Sequence, residues 1–541
     1  MDHRTKIFPL YFLLSLFITT PAHAASILGG EWEKYLTERV SFSGFFDNTT
    51  GLSIGAGDRH FHTTNRFIMN RFTFQPELNV DVLEKLKLFI SWRFVKEPRY
   101  NAEARSRRKT VAPKPVEPLD NTFYDEDSFK PWEMVWDYNP TESLSIRLGR
   151  QFISWGETDG LRLLDVINSA DLTFAPALAP NLFDTDETRI PSWGVRVLYT
   201  VAPVTNSILE FFALPGFDEA KQRVDEVLGS NDTADGRVRY GRWSSHPETR
   251  IGFGCLFAAS TAPAPTCNII PSVSRQLPDA GDNWKIGSRI THNFGKLNVG
   301  LGYIWGYNPQ GGDLVFKLKG VVDPPGPTPP IATIRLINDR TSIFAGHFNY
   351  AVDDVGGIPF NTAIRGELAF YPSQPYNISK YPGPTGFKAG PHPRHSDTAL
   401  TEKNTLRYSL GFDRSTLIPF LQEDPYRAFR MSFQIFQRII LDHEDGIRAF
   451  STANKIKMVS TNFTFRVGTG YFGDTILPDV FLFYDPTGYW AANPAVTYAP
   501  SWNEKIKITL TAAIYWGRDK FSFPGLLDEK DSIFLKMRYQ F

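Results

Sequence analysis

The sequence predicts an all-β protein, a transmembrane antiparallel β-barrel of about 18 strands or, as the alternative, about 16. Three observations carry this prediction: an apolar N-terminal segment typical of exported chains, a recurrent alternation of apolar and polar residues, and connections that alternate between short and long. We expect short periplasmic turns, long extracellular loops and one loop folded into the lumen.

The N-terminus has the three parts of a secretory signal peptide. His3, Arg4 and Lys6 form a basic start, and residues 7–20 are apolar but too few for an ordinary membrane-spanning helix. Ala22-His23-Ala24 then supplies the small residues of a cleavage site. We predict a signal peptide at residues 1–24 and one barrel domain at residues 25–541, located in the outer membrane of a Gram-negative cell.

The composition favours a closed sheet over membrane helices. Aromatic residues make up 14% of the chain, and no later stretch has the roughly 18 apolar residues that a spanning helix needs. An exported chain of this kind can cross a bilayer as a barrel, because closure pairs every backbone group. Lys+Arg and Asp+Glu both total 58, so the net charge indicates no partner and gives no reason to expect nucleic-acid binding.

Period-two alternation is clearest in the last segment of the chain. Its apolar face consists of Ile533, Leu535, Met537 and Tyr539, whereas Lys536, Arg538 and Gln540 lie on the other face. This pattern is typical of a strand between lipid and an aqueous lumen. The chain ends on Phe541, which resembles the C-terminal signal that barrel-assembly machinery recognises. Similar faces recur around residues 86–94, 297–305, 358–364, 406–412, 429–435 and 506–516.

The connections between these segments alternate in length. Short turns are predicted at 83–85, 139–142, 202–206, 293–296, 353–357 and 501–504, and long connections at 96–128, 154–190, 216–281, 308–339 and 372–402. An even strand number places both chain ends in the periplasm and the long loops outside. Residues 308–330 contain a Pro/Gly-rich run that predicts an irregular loop.

Cys255 and Cys267 fall in one predicted outer loop, where an exported chain is expected to oxidise them to a disulfide. No CxxC motif is present, so we expect no redox centre, no cofactor and no metal site. His60 and His62 have strand-like spacing but lie in a predicted polar loop, which makes a metal site there a minor alternative.

The residues opposite the apolar faces should line the lumen, and basic side chains outnumber acidic ones among them: Arg93, Arg147, Arg196, Arg365, Glu367, Arg407, Arg430, Lys507, Lys536 and Arg538. A basic lumen would attract anionic or electron-rich solutes. Alternatively, these residues pair with loops folded into the barrel and keep the interior solvated. The sequence leaves both interpretations open.

The connection at 154–190 is acidic, with only Arg162 and Arg189 against seven carboxylates: Glu157, Asp159, Asp165, Asp171, Asp184, Asp186 and Glu187. An acidic loop beside a basic lumen should be drawn inward and narrow the channel. Arg150, just before it, shares a face with Leu148 and would point at lipid. We expect a bulge at Gly149 to redirect it; the alternative is that the strand has left the hydrocarbon there.

This region carries a motif with GRQ at 149–151, SWGE at 154–157, Asp159 and DVIN at 165–168, followed by Asp171. A second motif has GFDR at 411–414, IPFL at 418–421 and FQIF at 433–436. Together they resemble domain-of-unknown-function family thirteen-oh-two of long outer-membrane barrels. The resemblance implies a barrel over most of the chain and a link to hydrophobic or aromatic compounds. The motif residues Arg150, Gln151, Trp155, Glu157, Asp159, Asp165 and Asp171 form either a structural latch or a gating site.

The expected function is a porin-like channel or transporter with an acidic constriction loop. The alternatives are the barrel of an export complex or of a cytochrome conduit and, less favoured, a barrel-embedded hydrolase, because no Ser- or Asp-containing signature accompanies His292 or His347. We therefore expect that the protein is not an enzyme. The expected partners are outer-membrane lipid and lipopolysaccharide, the assembly machinery, and an envelope pump or cytochrome.

Overall fold

The computed structural model describes residues 38–54, 66–96, 131–168, 189–201, 206–215, 270–275, 284–307, 316–322, 331–336, 340–355, 358–379, 398–422, 424, 427–448, 455–518 and 531–541. Five sets of expectations lie outside these residues and stay predictions: the signal peptide, the Cys255–Cys267 disulfide, Asp171 of the motif, the His60/His62 pair and the acidic residues at 184–187.

The described residues form mostly strands because apolar and polar side chains alternate along them, so that one face of each strand can contact lipid. In chain order they are β1 (Val40–Ser53), β2 (Arg66–Leu83), β3 (Leu86–Ser91), β4 (Phe94–Lys96), β5 (Glu133–Thr141), β6 (Leu144–Gln151), β7 (Ser192–Val201), β8 (Ser207–Leu214), β9 (Ile270–Arg275), β10 (Lys285–Phe294), β11 (Leu297–Tyr307), β12 (Phe316–Val322), β13 (Ile331–Leu336), β14 (Arg340–Val355), β15 (Ile358–Ser379), β16 (Thr398–Thr416), β17 (Phe429–Ile440), β18 (Ile447–Arg448), β19 (Val459–Gly468), β20 (Ile476–Asp485), β21 (Tyr489–Tyr498), β22 (Ile506–Gly517) and β23 (Ser532–Gln540).

The wall is a closed antiparallel barrel of 18 strands, which confirms the predicted fold and strand number. Each wall strand pairs with the next one along the chain, and β23 pairs with β1 to close the sheet. The short strands β3 and β4 both pair with β2 and together make one wall strand. Closure leaves no strand edge in the wall, which is the condition for a sheet to lie in lipid.

The connections follow the predicted alternation with three departures. β15 runs on to Ser379 and β16 begins at Thr398, so both strands extend into the connection expected at 372–402. The end with the short turns also carries two longer links, 417–428 and 469–475, whereas 486–488 is a tight turn at the other end. The connection at 308–339 is not entirely irregular, because β12 and β13 pair with each other and β13 also pairs with β9.

The registers show which side chains share a face. Phe46, Leu148, Leu301, Leu368 and Leu510 lie on one face of their strands and are exposed, as expected of a surface that contacts lipid. The opposite face must be the inner one, because a single segment after β6 reaches it on the six wall strands β8, β10, β11, β14, β15 and β17. Only a segment inside a closed wall can do so.

The last residue closes the seam between the first and last strands. The backbone N–H of Phe541 donates to the carbonyl oxygen of Gly44 at 3.1 Å, and its ring lies 5.4 Å from that of Phe42 and 5.9 Å from that of Phe74. In the described part of the chain, no helix is long and apolar enough to cross a membrane.

Candidate functional site

The segment inside the barrel, residues 152–168, is called the luminal loop here. It leaves the end of β6 and has no regular secondary structure. A segment without regular structure pairs only some of its backbone groups within itself, as in the Val166 N–H that donates to the carbonyl oxygen of Leu164, and its other buried groups need polar partners elsewhere. The contacts below show that polar side chains of the wall supply such partners, and that most of them come from residues about 120 to 275 positions away in sequence.

Asn168 clasps the base of the luminal loop. Its side-chain oxygen accepts from the backbone N–H of Ile153 at 2.7 Å, and its amide donates to the carbonyl oxygens of Gln151 at 3.2 Å and Ile190 at 3.0 Å. Asn168 is fully buried. One side chain therefore ties both stems of the loop to the end of β6.

Glu367 on β15 binds the backbone of the luminal loop at two positions. It is buried, and its two carboxylate oxygens accept from the backbone N–H groups of Glu157 and of Leu164, the latter at 3.1 Å. On β10, buried Lys285 donates to the carbonyl oxygen of Ile167 at 2.7 Å. The buried acid thus accepts from backbone N–H groups of the loop, and the buried base donates to a backbone carbonyl oxygen. These hydrogen bonds offset the free-energy cost of removing the two side chains from water.

Asp159 of the first motif is held by residues of the second motif and by Arg365. Its backbone N–H donates to the side-chain oxygen of Gln434 at 3.1 Å, and the Gln434 amide donates back to the Asp159 carboxylate at 2.9 Å. The guanidinium of Arg365 contacts the same carboxylate and also pairs with Asp413, 2.7 Å away. Asp413 belongs to GFDR and Gln434 to FQIF, so the second motif supplies the clamp for the first.

The apolar side of the loop packs on strands β8 to β15. Trp155 lies edge-on to Phe212, with ring centroids 5.3 Å apart, and the Arg289 guanidinium lies 5.1 Å from its ring centre. A Cβ on Gly302 would come within 2.9 Å of the Trp155 ring, so the absent side chain makes room for the indole. Trp155 is buried in a cluster with loop and wall residues: Ile153, Leu163, Leu164, Val166, Ile167, Phe212, Leu214, Ile304, Ile343, Ala345, Ala369 and Tyr371.

The tip of the loop reaches the opposite side of the barrel. Leu161 packs against the far-wall cluster, a group of buried inward side chains on β2, β20, β21, β22 and β23: Met69, Phe481, Phe483, Ala491, Ala513, Tyr515 and Phe534. The loop therefore spans the lumen from the β15 side to the β22 side.

The registers place nine of the ten predicted lumen residues on the inward face, and the tenth, Arg93, lies between β3 and β4; several of the ten are paired with wall carboxylates. The pairs are Arg147–Asp137 at 2.7 Å, Arg196–Glu210 at 2.6 Å, Arg365–Asp413 at 2.7 Å, and Arg538–Asp47 at 2.6 Å with Lys536 at 3.5 Å from Asp47. Arg93 donates to Gln75 at 2.8 Å. Glu367 is the only carboxylate among the predicted lumen residues. Asp47, Asp137, Glu210 and Asp413 also alternate with lipid-facing residues along their strands, so the sequence pattern could have predicted that they face the lumen.

The bulge expected at Gly149 is absent. The registers of β6 with β5 and β7 continue through Gly149 without an extra residue, so Arg150 stays on the face of Leu148. Arg150 is nevertheless buried, because it donates to the carbonyl oxygens of Pro131 at 2.8 Å and Pro191 at 3.2 Å and lies beside Trp132. These contacts occur where the strand ends, which favours the alternative that this end lies beyond the hydrocarbon.

The acidic character of the loop accounts for little of its attachment. Asp159 pairs with a wall arginine, but Asp165 pairs within the loop region, with Arg189 at 3.1 Å and Arg162 at 3.6 Å. Gln151 donates to the carbonyl oxygens of Arg147 and Gly194. Wall-to-backbone hydrogen bonds do the rest, and sequence reasoning missed Lys285, Gln434, Asp413 and Leu161 in these roles, because nothing local in the chain indicates partners across the lumen.

The structure brings one serine next to a histidine. Ser207 Oγ lies 2.7 Å from His292 Nδ1, on the outward face at the short-turn end of the barrel. Among the described residues, no carboxylate or amide is within hydrogen-bonding distance of the His292 ring as a third member. His347, in contrast, faces inward beside Gly300.

Residues 10–541 match the model of the family described as "Protein of unknown function (DUF1302)". No curated protein matches the sequence. The chain is similar in fold to OccK1 (OpdK) of Pseudomonas aeruginosa, at 10% identity and a TM-score of 0.43, covering 93% of this chain and 98% of that one. It is likewise similar to OccAB3 of Acinetobacter baumannii, at 7% identity and a TM-score of 0.43, covering 93% and 99%. For the outer-membrane channel DcaP of Acinetobacter baumannii the identity is 10% and the TM-score 0.36, covering 93% and 97%.

Proposed function

The chain belongs to the DUF1302 family, and we propose that it is an outer-membrane channel whose lumen is narrowed by the luminal loop. The observation that carries this proposal is the position of that loop. It is clamped inside a closed wall on one side and touches the far-wall cluster on the other.

The outward face supports a location in a membrane. Exposed tryptophans lie at the long-loop end (Trp193, Trp284, Trp490 and Trp516), and exposed aromatic residues lie at the short-turn end (Tyr138, Tyr199, Phe294, Tyr350, Tyr498 and Tyr539). Exposed aliphatic residues such as Leu301 and Leu510 lie between them. Two aromatic girdles around an apolar band are typical of barrels in the outer membrane, where the rings lie at the lipid headgroups.

The inward face supports passage of solutes. Outside the two apolar clusters that the loop contacts, it carries ion pairs and polar groups, which are typical of a water-filled barrel. The luminal loop is then a constriction, because its contacts run from β10 to β22 across that space.

The test is single-channel recording in planar lipid bilayers. The purified protein should produce discrete conductance steps, and replacing residues 158–163 by two glycines should enlarge them about twofold, because the tip that crosses the lumen is gone. Retention of the folded, heat-sensitive band in gel electrophoresis shows that the variant still forms a barrel. Absence of steps in both folded proteins, or equal steps in both, would contradict the proposal.

We also propose a preference for anions. Arg407 and Arg438 lie directly opposite each other on β16 and β17. With Ala369 on β15 and Ser460 on β19 they form one row of residues paired across neighbouring strands, called a rung here. This rung therefore carries two basic side chains, of which Arg407 lies 4.9 Å from the ring centre of Tyr371 and Arg438 donates to the Ser460 hydroxyl. Together with the excess of basic over acidic residues among the predicted lumen residues, it supports a role in attracting anions.

A further inference from the structure

The outward face of β17, β19, β20 and β21 carries a groove between aromatic side chains. Its volume is about 380 Å³, and its lining is almost entirely apolar. Six aromatic or aliphatic side chains line it: Phe433, Phe463, Phe465, Leu482, Tyr484 and Trp490. The registers place all six on one face, on which Phe433 is 37% and Trp490 45% exposed. The groove therefore lies on the surface that contacts lipid, on the other side of the wall from the luminal loop.

Four of the rings form a continuous row along the groove. Phe463 stacks between Phe433 and Tyr484, with its ring centroid 6.1 Å from each of theirs. Tyr484 in turn lies 4.1 Å from Trp490. Rings that pack on one another hold the groove open before anything binds in it. The row crosses four strands and is about 15 Å long, which is about half the hydrocarbon thickness of a bilayer and so the depth that one acyl chain occupies.

Basic side chains lie beside the groove at the end with the long loops. Arg518 lies two residues after the exposed Trp516, and a Cβ on Gly488, in the turn between β20 and β21, would come within 3.3 Å of the Arg518 Cβ. Lys457 precedes β19 at the same end. Both basic side chains are exposed, and within the described part of the chain neither has an ion-pair partner. Asp485, in that turn, accepts from groups of the turn itself and pairs with neither cation.

An apolar groove that ends beside cations at the membrane surface is complementary to a lipid with an acyl chain and an anionic headgroup. The long loops lie on the extracellular side, where the leaflet of an outer membrane consists of lipopolysaccharide. We propose that the groove binds an acyl chain of lipid A, the phosphorylated glycolipid that anchors lipopolysaccharide, and that Arg518 and Lys457 bind its phosphate groups. The proposal rests on the membrane location proposed above and concerns the outside of the barrel.

The test is titration of the purified barrel in detergent with lipid A, followed by native mass spectrometry of the complexes. The unmodified protein should form a one-to-one complex and bind dephosphorylated lipid A about fivefold more weakly, because the two cations then have no anion to bind. Arg518→Gln/Lys457→Gln should abolish this difference. Phe463→Ala should weaken binding of both lipids about tenfold, because it removes the central ring of the row.

Trp193→Ala is the matched control for the groove, since it removes an exposed ring at the long-loop end of another strand, β7. Lys85→Gln/Lys505→Gln is the control for charge, because both lysines are exposed at the short-turn end. Both controls should bind lipid A as the unmodified protein does. The heat-sensitive folded band in gel electrophoresis shows that each variant forms a barrel.

Equal affinities of the folded Phe463→Ala and Trp193→Ala proteins would overturn the proposal, as would equal binding of both lipids by the unmodified protein. A protein dimer or trimer in place of the lipid complex, lost in Phe463→Ala, would also overturn it and assign the groove to a second copy of the chain. Because lipid binding is measured independently of conductance, this proposal and the proposed channel function can fail separately.

Discussion

At the scale of single residues, the site depends on buried polar side chains that bind backbone groups of the luminal loop. Glu367 is the clearest, because it accepts from two loop N–H groups with different oxygens and is almost completely buried. Gly149 of the GRQ motif shows a different constraint. Its φ is +136°, and a Cβ there would lie 1.9 Å from the carbonyl oxygen of Met134, so only glycine fits.

Replacing Glu367 by glutamine should loosen the loop although the two side chains have the same shape. The new amide would present N–H groups to one of two backbone donors, leaving a buried donor without an acceptor, at a cost of about 1–3 kcal/mol. We expect Glu367→Gln to increase current noise and mean conductance in bilayers and to lower the temperature at which the barrel unfolds in detergent.

The matched control is Glu77→Gln on β2, which makes the same chemical change at an inward carboxylate that accepts from Gln75 on the wall. It should leave the current noise unchanged. Similar noise in both variants would show that Glu367 does not seat the loop.

At the scale of strands, the seam between β1 and β23 is where closure must be secured. Arg538 makes two hydrogen bonds of 2.6 Å to Asp47, Lys536 lies 3.5 Å from the same carboxylate, and Asp47 is buried. The guanidinium also lies 4.2 Å from the ring centre of Phe45. This ion pair joins strands separated by almost the whole chain.

Asp47→Ala should therefore weaken closure by about 1–3 kcal/mol, because it leaves two cations beside each other without their shared carboxylate. The measurement is the temperature at which the folded band converts to the unfolded one in gel electrophoresis. Asp479→Ala is the control, since it breaks the more exposed Arg466–Asp479 pair between β19 and β20, which should contribute less than about 1 kcal/mol. Equal shifts in the two variants would argue against a special role for the seam.

At the scale of the whole molecule, the inward charges together set the field that a solute meets. Several predicted lumen arginines pair with carboxylates one strand away, and the proposed anion preference draws on the rung that Arg407 and Arg438 share. Of the two interpretations that the sequence left open, contact with the luminal loop is seen at Arg365, which binds Asp159.

The double substitution Arg407→Gln/Arg438→Gln should lower the anion-to-cation permeability ratio about twofold, because it removes two positive charges from the lumen. The reversal potential in a tenfold KCl gradient measures this ratio. Lys85→Gln/Lys505→Gln removes the same charge from turns outside the lumen and should leave the potential nearly unchanged. An unaltered potential in the first variant would disprove the selectivity role of this rung.

The sequence by itself determined the closed sheet and the direction of most side chains, and it limited the number of strands to about 18 or about 16, of which the structure has 18. Those properties follow from a local rule, since residues two apart share a face and lipid and water select opposite chemistry for the two faces. Tertiary structure alone decided which inward residues meet. Asp159 and Gln434 are 275 residues apart, and Leu161 meets strands from both ends of the chain. Contacts across a lumen depend on closure and register, which no local pattern encodes, and so the contacts that clamp the loop appear only in the folded barrel.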